Sequence, residues 1–134
     1  KALSMAILHD YAEVFISDVP HPIKKQFPQI ADCLEEAEKQ IITDHISPEF
    51  ADWLTEFNNT CTAEGAIVAL ADILSVISYA KYEVGLGNSA YMKNVIDVGI
   101  LRAEKMFSIC EKYLYPNISP EDVKINVKDF ACVK

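Results

Sequence analysis

The sequence is short of basic side chains: 12 lysines and arginines stand against 20 aspartates and glutamates in 134 residues. The net charge of −8 repels a nucleic-acid backbone, so we expect no DNA- or RNA-binding scaffold unless a local basic patch offsets this field. A small phosphate ester drawn in by a metal ion is still compatible with such a charge.

Paired cysteines are also lacking. The chain has four cysteines, none at C-x-x-C spacing and none beside a histidine in sequence; they are Cys33, Cys61, Cys110 and Cys132. A zinc knuckle or a redox motif is therefore not supported. Free thiols are typical of a reducing compartment, and we expect a cytoplasmic protein.

Long apolar runs are missing as well. The longest covers residues 66–71 and is interrupted by Asp72, so we expect no membrane-spanning segment and no membrane partner. No signal peptide is expected before the first helix. The chain starts at Lys1, directly inside an apolar helical pattern, as if an upstream segment had been removed or never included.

The composition is that of a globular protein. Apolar residues make up 51% and charged residues 24%, which predicts one domain with a proper core over residues 1–134. Strand signals are scarce, so we predict an all-α class, a single helical bundle with a short irregular tail from residue 118. In that tail Val123, Ile125 and Val127 alternate, which would suit a brief strand or an extended arm.

Apolar periodicity and stop signals place the helices. We expect an additional short helix opened by Ser47 and Pro48, an N-cap followed by proline at the first helical position. The other predicted helices cover residues 2–14, about 30–44, 62–84 and 89–114.

Asp72 stands out in the predicted helix 62–84. This helix is apolar almost all round over residues 66–77, which is typical of a central buried helix. A buried carboxylate costs several kcal/mol unless it is paired or binds a metal. A lysine partner or a capping role would explain Asp72, but we favour a ligand role.

His9 and Asp10 form a second candidate. Adjacent helical residues point about 100° apart, so both can reach one cleft from the edge of a buried face. An imidazole and a carboxylate suit a divalent transition metal. Glu13 lies on the same side of the predicted helix, and we assign it the proton transfer or the positioning of the attacking water. A His-Asp pair alone would also suit a solvated helix surface.

A proline-containing segment follows, predicted as a loop that begins at Asp18. Pro20 and Pro22 stiffen it, and Lys24 and Lys25 could neutralise phosphate oxygens. For Lys25 we favour a solvated turn. The remaining polar and aromatic candidates have simpler interpretations: surface histidines for His21 and His45, core aromatics for Phe50, Trp53 and Phe57, and a solvated helix face for Glu35, Glu36 and Glu38.

Together, H-D-x-x-E at residues 9–13, D-x-P-x-P-x-K at residues 18–24 and the later Asp72 resemble the HD-domain phosphohydrolases. The resemblance is closest to the small bacterial 5′-deoxynucleotidases and their phage dNTP triphosphohydrolase relatives, and it covers nearly the whole chain. It implies that a divalent metal (Co, Mn, Zn, Mg or Ni) is bound by His9, Asp10 and Asp72.

The resemblance also implies roles for three further residues, and the chain departs from the family pattern in one respect. Glu13 would act with the attacking water or the leaving oxygen, Asp18 would help to hold the substrate or the water network, and Lys24 would lie near phosphate. The family's first metal-binding histidine and a phosphate-binding arginine lie upstream of the His-Asp pair. Only eight residues precede His9, and none is His or Arg. We therefore expect weakened metal binding and little activity from this chain alone.

The function that we predict is a metal-dependent 5′-deoxynucleotidase acting on nucleoside monophosphates. A dNTP triphosphohydrolase and a non-catalytic helical interaction module are the alternatives. A hydrolase of cyclic or alarmone nucleotides is disfavoured by the D-x-P-x-P-x-K segment. Family relatives are commonly homodimers, and the helix 89–114 could supply an apolar contact face or could simply complete the core.

Overall fold

The computed structural model describes residues 1–114, and no strand occurs among them, which confirms the all-α class. The tail predicted from residue 118, with Val123, Ile125 and Val127, lies outside the described residues. Within the described range the chain forms seven helices: α1 (Ala2–Leu8), α2 (Glu13–Ile16), α3 (His21–Gln26), α4 (Pro28–His45), α5 (Pro48–Asn59), α6 (Ala63–Gly85) and α7 (Ser89–Leu114).

The two longest helices, α6 and α7, pack against each other and form the centre of the structure. Ile73 and Ile77 of α6 are buried against Ala103 of α7. Gly99 allows this close approach, because a Cβ atom there would lie 2.7 Å from Cγ1 of Ile77. The helices are joined by a turn in which Gly87 adopts a positive φ of 99°, a conformation that favours glycine. The predicted end of α6 at residue 84 is therefore confirmed to within one residue.

The N-terminal end of α6 packs against α5 and α1. The Thr62 side chain accepts a hydrogen bond of 3.3 Å from the Gly65 amide, so Thr62 caps the helix. Helices α5 and α6 approach closely at Gly65, since a Cβ atom there would lie 2.8 Å from the backbone oxygen of Glu56. Ser47 also precedes its helix as predicted, with Pro48 at the first position, but its side chain forms no capping hydrogen bond.

Burial of α6 is less complete than predicted. Ile67 and Val76 are 40% and 45% exposed, and Tyr79 and Tyr82 are exposed further along. By length and composition α6 could also cross a membrane, so the expectation that no segment is long enough was wrong on this criterion. Helix α6 contacts α1, α5 and α7, and core helices of helical bundles pass the same test, so this is weak evidence for a membrane span.

The predicted helix over residues 2–14 is interrupted. Helix α1 ends at Leu8, His9 to Ala12 form a turn, and α2 begins at Glu13. The backbone hydrogen bonds change here from four-residue to three-residue spacing, with Tyr11 donating to Leu8 and Glu13 donating to Asp10. The chain is thus wound more tightly at the His-Asp pair than in an α-helix.

The segment predicted as a stiff loop is largely helical. Ser17, with φ of 61°, ends α2, and the extended backbone of Pro20 leads into α3. Pro22 lies in the first turn of α3, where its missing N–H interrupts no helical hydrogen bond. Lys24 and Lys25 therefore lie on a helix, which gives their side chains fixed directions.

Candidate active site

The His9 imidazole is oriented by the end of α1. Its Nδ1 lies 3.0 Å from the carbonyl oxygen of Ala6, one turn earlier, and the Phe57 ring contacts the imidazole edge-on at 5.4 Å between centroids. When Nδ1 donates to Ala6, Nε2 carries the lone pair. Nε2 lies 3.1 Å from Oδ2 of Asp10 and 3.8 Å from Oδ1 of Asp72. The histidine therefore faces two carboxylates.

A pocket of about 230 Å³ opens beside this histidine. Its walls come from the turn at His9 and from five helices, α2 to α6. Five of the six site residues predicted from the sequence line it: His9, Asp10, Glu13, Lys24 and Asp72.

Asp18, the sixth predicted residue, does not line the pocket. It is exposed, two residues beyond the end of α2. Its carboxylate is still close enough to act on Glu13 electrostatically. Asp18 therefore influences the wall of the pocket without being part of it.

Glu13 is the predicted residue with the most perturbed environment. Burial raises the pKa of its carboxyl above the ordinary value, and the negative charges of Asp10 and Asp18 raise this pKa further. The positive charge of Lys24 acts in the opposite direction and lowers the Glu13 pKa. A carboxyl that holds its proton to higher pH is suited to exchange that proton with a bound molecule.

Asp72 is not buried, contrary to the prediction. Its side chain is 45% exposed, because the face of α6 that carries it opens into the pocket and is not covered by another helix. The argument that a buried carboxylate needs a metal to offset desolvation therefore does not apply. What supports Asp72 as a site residue is its position opposite Nε2 of His9.

Several pocket residues were not predicted. Glu38 was interpreted as part of a solvated helix face, but α4 turns it toward the pocket, where it is half-buried. Phe57 was assigned to the core; it is half-buried and covers both the histidine and the pocket floor. Among the lining residues that were not predicted are Glu38, Ile42, Leu54, Phe57 and Asn58. The i, i+4 spacing of Glu38 and Ile42 is the one signal that could have indicated a shared face.

The donors around His9 match a divalent metal in kind. One imidazole nitrogen and two carboxylates are usual ligands of such ions. Two atoms bonded to one ion at about 2.1 Å lie about 3 Å apart, and the two distances from Nε2, 3.1 and 3.8 Å, are near this value. Within residues 1–114, however, no group of three or more His, Cys, Asp or Glu side chains is arranged to hold an ion. Asp10 and Asp72 therefore each lie close to the His9 imidazole, but the three side chains do not form a ready metal site.

An all-helical bundle with a His-Asp pair, an aspartate on its central helix and a glutamate and a lysine in the same pocket is consistent with an HD-domain phosphohydrolase. A model of the YfbR-like 5′-deoxynucleotidases matches residues 1–113, and the chain belongs to this family.

One curated relative bears on the comparison, a 5′-deoxynucleotidase of Pasteurella multocida that is 29% identical over 96 residues. The match covers 65% of the chain and 48% of the relative, so the chain spans about half the length of that protein. No solved structure matches the chain significantly.

Proposed function

We propose that this protein is a metal-dependent phosphohydrolase that converts deoxynucleoside 5′-monophosphates and water into deoxynucleosides and inorganic phosphate. The observation that carries the proposal is the convergence of His9 Nε2, Asp10 and Asp72 beside a pocket that also contains Glu13 and Lys24. Family membership supports the substrate class.

His9, Asp10 and Asp72 would hold the metal ion. When bound, a divalent ion there supplies Lewis-acid activation of water and of the phosphoryl group. The hydrogen bond from Nδ1 to the Ala6 carbonyl orients the ring and keeps Nε2 available as a ligand. The ion itself could be Co, Mn, Zn, Mg or Ni, since this donor set suits several of them.

Glu13 and Lys24 would act on water and substrate from the opposite wall. The Glu13 carboxylate takes the proton of the attacking water and returns it to the 5′ oxygen as the phosphorus–oxygen ester bond breaks. Its raised pKa is suited to both transfers. Lys24 neutralises a phosphate oxygen, and Asp18 would tune Glu13 through its charge.

A panel of deoxynucleoside mono- and triphosphates, assayed with each of the five metals, tests the proposal. We expect phosphate release from monophosphates, slow in this chain alone, and none from Asp72→Asn, which should fold normally because Asp72 is half-exposed. Asp97→Asn, at an exposed position on α7 outside the pocket, is the matched control and should retain activity.

Other outcomes of this panel identify the alternatives. Release of triphosphate from dNTPs would make the protein a dNTP triphosphohydrolase, and normal turnover by Asp72→Asn would overturn the site assignment. Calorimetric titration of each metal provides a readout independent of turnover, in which Asp72→Asn should bind more weakly than the wild type.

A non-catalytic helical interaction module is the second candidate. It is favoured by one observation, the absence among residues 1–114 of a three-donor group able to hold a metal ion. No stoichiometric metal in the titrations, together with no turnover of any nucleotide, would select this candidate.

The cysteines and the net charge bear on the proposed compartment and partners of the protein. Cys33, Cys61 and Cys110 are free, which supports a reducing cytoplasm. The net charge of −8 disfavours a nucleic acid as the partner, and the family supports a small nucleotide. We do not propose a membrane partner, and a second copy of the chain is the proposed protein partner.

A further inference from the structure

Glu38 occupies the pocket wall contributed by α4. It is half-buried and lies one helical turn before Ile42, which lines the same wall. On the next helix, α5, Asn58 lines the pocket beside Phe57. Two polar side chains from separate helices thus border an otherwise apolar part of the pocket.

No described side chain uses the hydrogen-bonding capacity of these two residues. Other polar residues on α4 are paired: Lys39 donates to Glu35 at 2.6 Å, and Gln40 donates to Asp44 at 2.9 Å. Within residues 1–114, Glu38 and Asn58 form no side-chain hydrogen bond or ion pair. Polar groups that line a pocket and have no protein partner are the ones that can fix the orientation of a ligand.

Lys24 is the lysine that lines the pocket, and the Glu38 carboxylate is close enough to Glu13 to act on it electrostatically. A carboxylate repels a phosphate, so the phosphate of a substrate belongs beside Lys24 and the proposed metal ion, and not beside Glu38. A carboxylate accepts hydrogen bonds and donates none, so Glu38 matches a neutral donor such as a hydroxyl. The volume of about 230 Å³ is below the range of roughly 300–1,000 Å³ that is usual for drug-sized ligands, so a pocket of this size would hold the phosphorylated pentose of a nucleotide and leave the base outside.

We infer that Glu38, assisted by Asn58, binds the 3′-hydroxyl of the substrate's deoxyribose and is a specificity-determining residue of this pocket. The inference rests on the proposed function for the substrate class. In a deoxynucleotide the 3′-hydroxyl is the one free hydroxyl of the sugar ring, so it is the donor that this carboxylate would bind.

The test compares 2′-deoxyadenosine 5′-monophosphate with its 2′,3′-dideoxy analogue. Dissociation constants are measured by calorimetry in chelated buffer, where no turnover consumes the ligand, and kcat/KM is measured with metal added. The wild type should prefer the 3′-hydroxyl ligand about tenfold, the value of one hydrogen bond to a charged group. Glu38→Ala should abolish this preference and Glu38→Gln should reduce it, and neither should lower the affinity for the dideoxy analogue.

Glu36→Ala is the matched control, since Glu36 is an exposed carboxylate on α4 outside the pocket. A preference that survives in Glu38→Ala, or that Glu36→Ala reduces equally, would overturn the inference, as would a wild type that binds neither nucleotide. A preference that depends on Glu38 without any phosphate release would instead retain the inference and reject the proposed hydrolysis.

Discussion

The His9 imidazole is held by its own chain before any ligand arrives. Nδ1 faces the Ala6 carbonyl, so the direction of Nε2 follows from the end of α1. Sequence spacing predicted five of the pocket residues because His, Asp and Glu in a short motif are chemically distinctive. Glu38 and Asn58 could not be predicted, since an acid or amide on an amphipathic helix looks the same in sequence whether it faces solvent or a pocket. Only the packing of α4 and α5 decides this.

The raised pKa of Glu13 should make stability pH-dependent. A carboxyl with a higher pKa in the folded protein binds more protons in that state, so the free energy of unfolding falls as pH rises from the ordinary value of 4.5 toward the folded pKa. Glu13→Gln removes this loss. In metal-free buffer we expect the variant to exceed the wild type in stability at pH 7 and to match it closely at pH 4.

Urea denaturation at the two pH values measures this difference. Glu36→Gln, which changes an exposed carboxylate on α4, should show no comparable gain at pH 7. A Glu13→Gln variant equally stable or less stable than the wild type at pH 7 would contradict the desolvation of this carboxyl.

At the scale of helices, the long elements were predictable and the short ones were not. Apolar periodicity, Thr62 and the glycines after Val84 defined α6 closely. The interruption between α1 and α2 could not be predicted, because no Gly or Pro marks it; it is visible only in the tightened backbone hydrogen bonds at the His-Asp pair. Similarly, the two prolines near α3 suggested a loop, although Pro22 is compatible with a first helical turn.

The contact between α5 and α6 should tolerate no side chain at Gly65. A Cβ atom there would meet the backbone of Glu56 at 2.8 Å and Cα of Phe57 at 3.1 Å, so the helices would have to separate. We expect Gly65→Ala to lower the free energy of unfolding by about 1–3 kcal/mol. Thermal or urea denaturation provides the measurement.

Gly85→Ala is the control for Gly65→Ala, because a Cβ at Gly85 has no atom within 4 Å. It should remain within about 1 kcal/mol of the wild type, since alanine also favours helix. Equal stabilities of the two alanine variants would show that the close approach of α5 and α6 is not required.

At the scale of the whole molecule, part of the apolar surface of α6 and α7 is exposed in the part of the chain that the structure describes. Helix α7 completes the core through Ala103, which was one of the two roles expected for the helix over residues 89–114. Its other face remains apolar and exposed, with Tyr91 at 52%, Val98 at 47% and Leu101 at 68% exposure. The proposed homodimer would bury this face, but it stays a prediction.

Leu101→Glu tests the proposed dimer. A charge in the middle of a buried apolar face is costly, so we expect the variant to be monomeric where the wild type is dimeric, by light scattering coupled to size exclusion. Lys93→Glu changes the charge of α7 at least as much at another exposed position and should remain dimeric. A monomeric wild type would reject the dimer, and a dimeric Leu101→Glu would place the interface elsewhere.

The close approach at Gly65 also bears on how this chain can vary. Phe57, whose Cα lies opposite Gly65, is the residue whose ring contacts His9. In a randomised library selected only for retained fold, position 65 should return glycine almost alone, while position 85 should accept many residues. Selection for nucleotide binding should then add little further constraint at position 65. The contact between α5 and α6 and the position of Phe57 in the pocket wall both require glycine there.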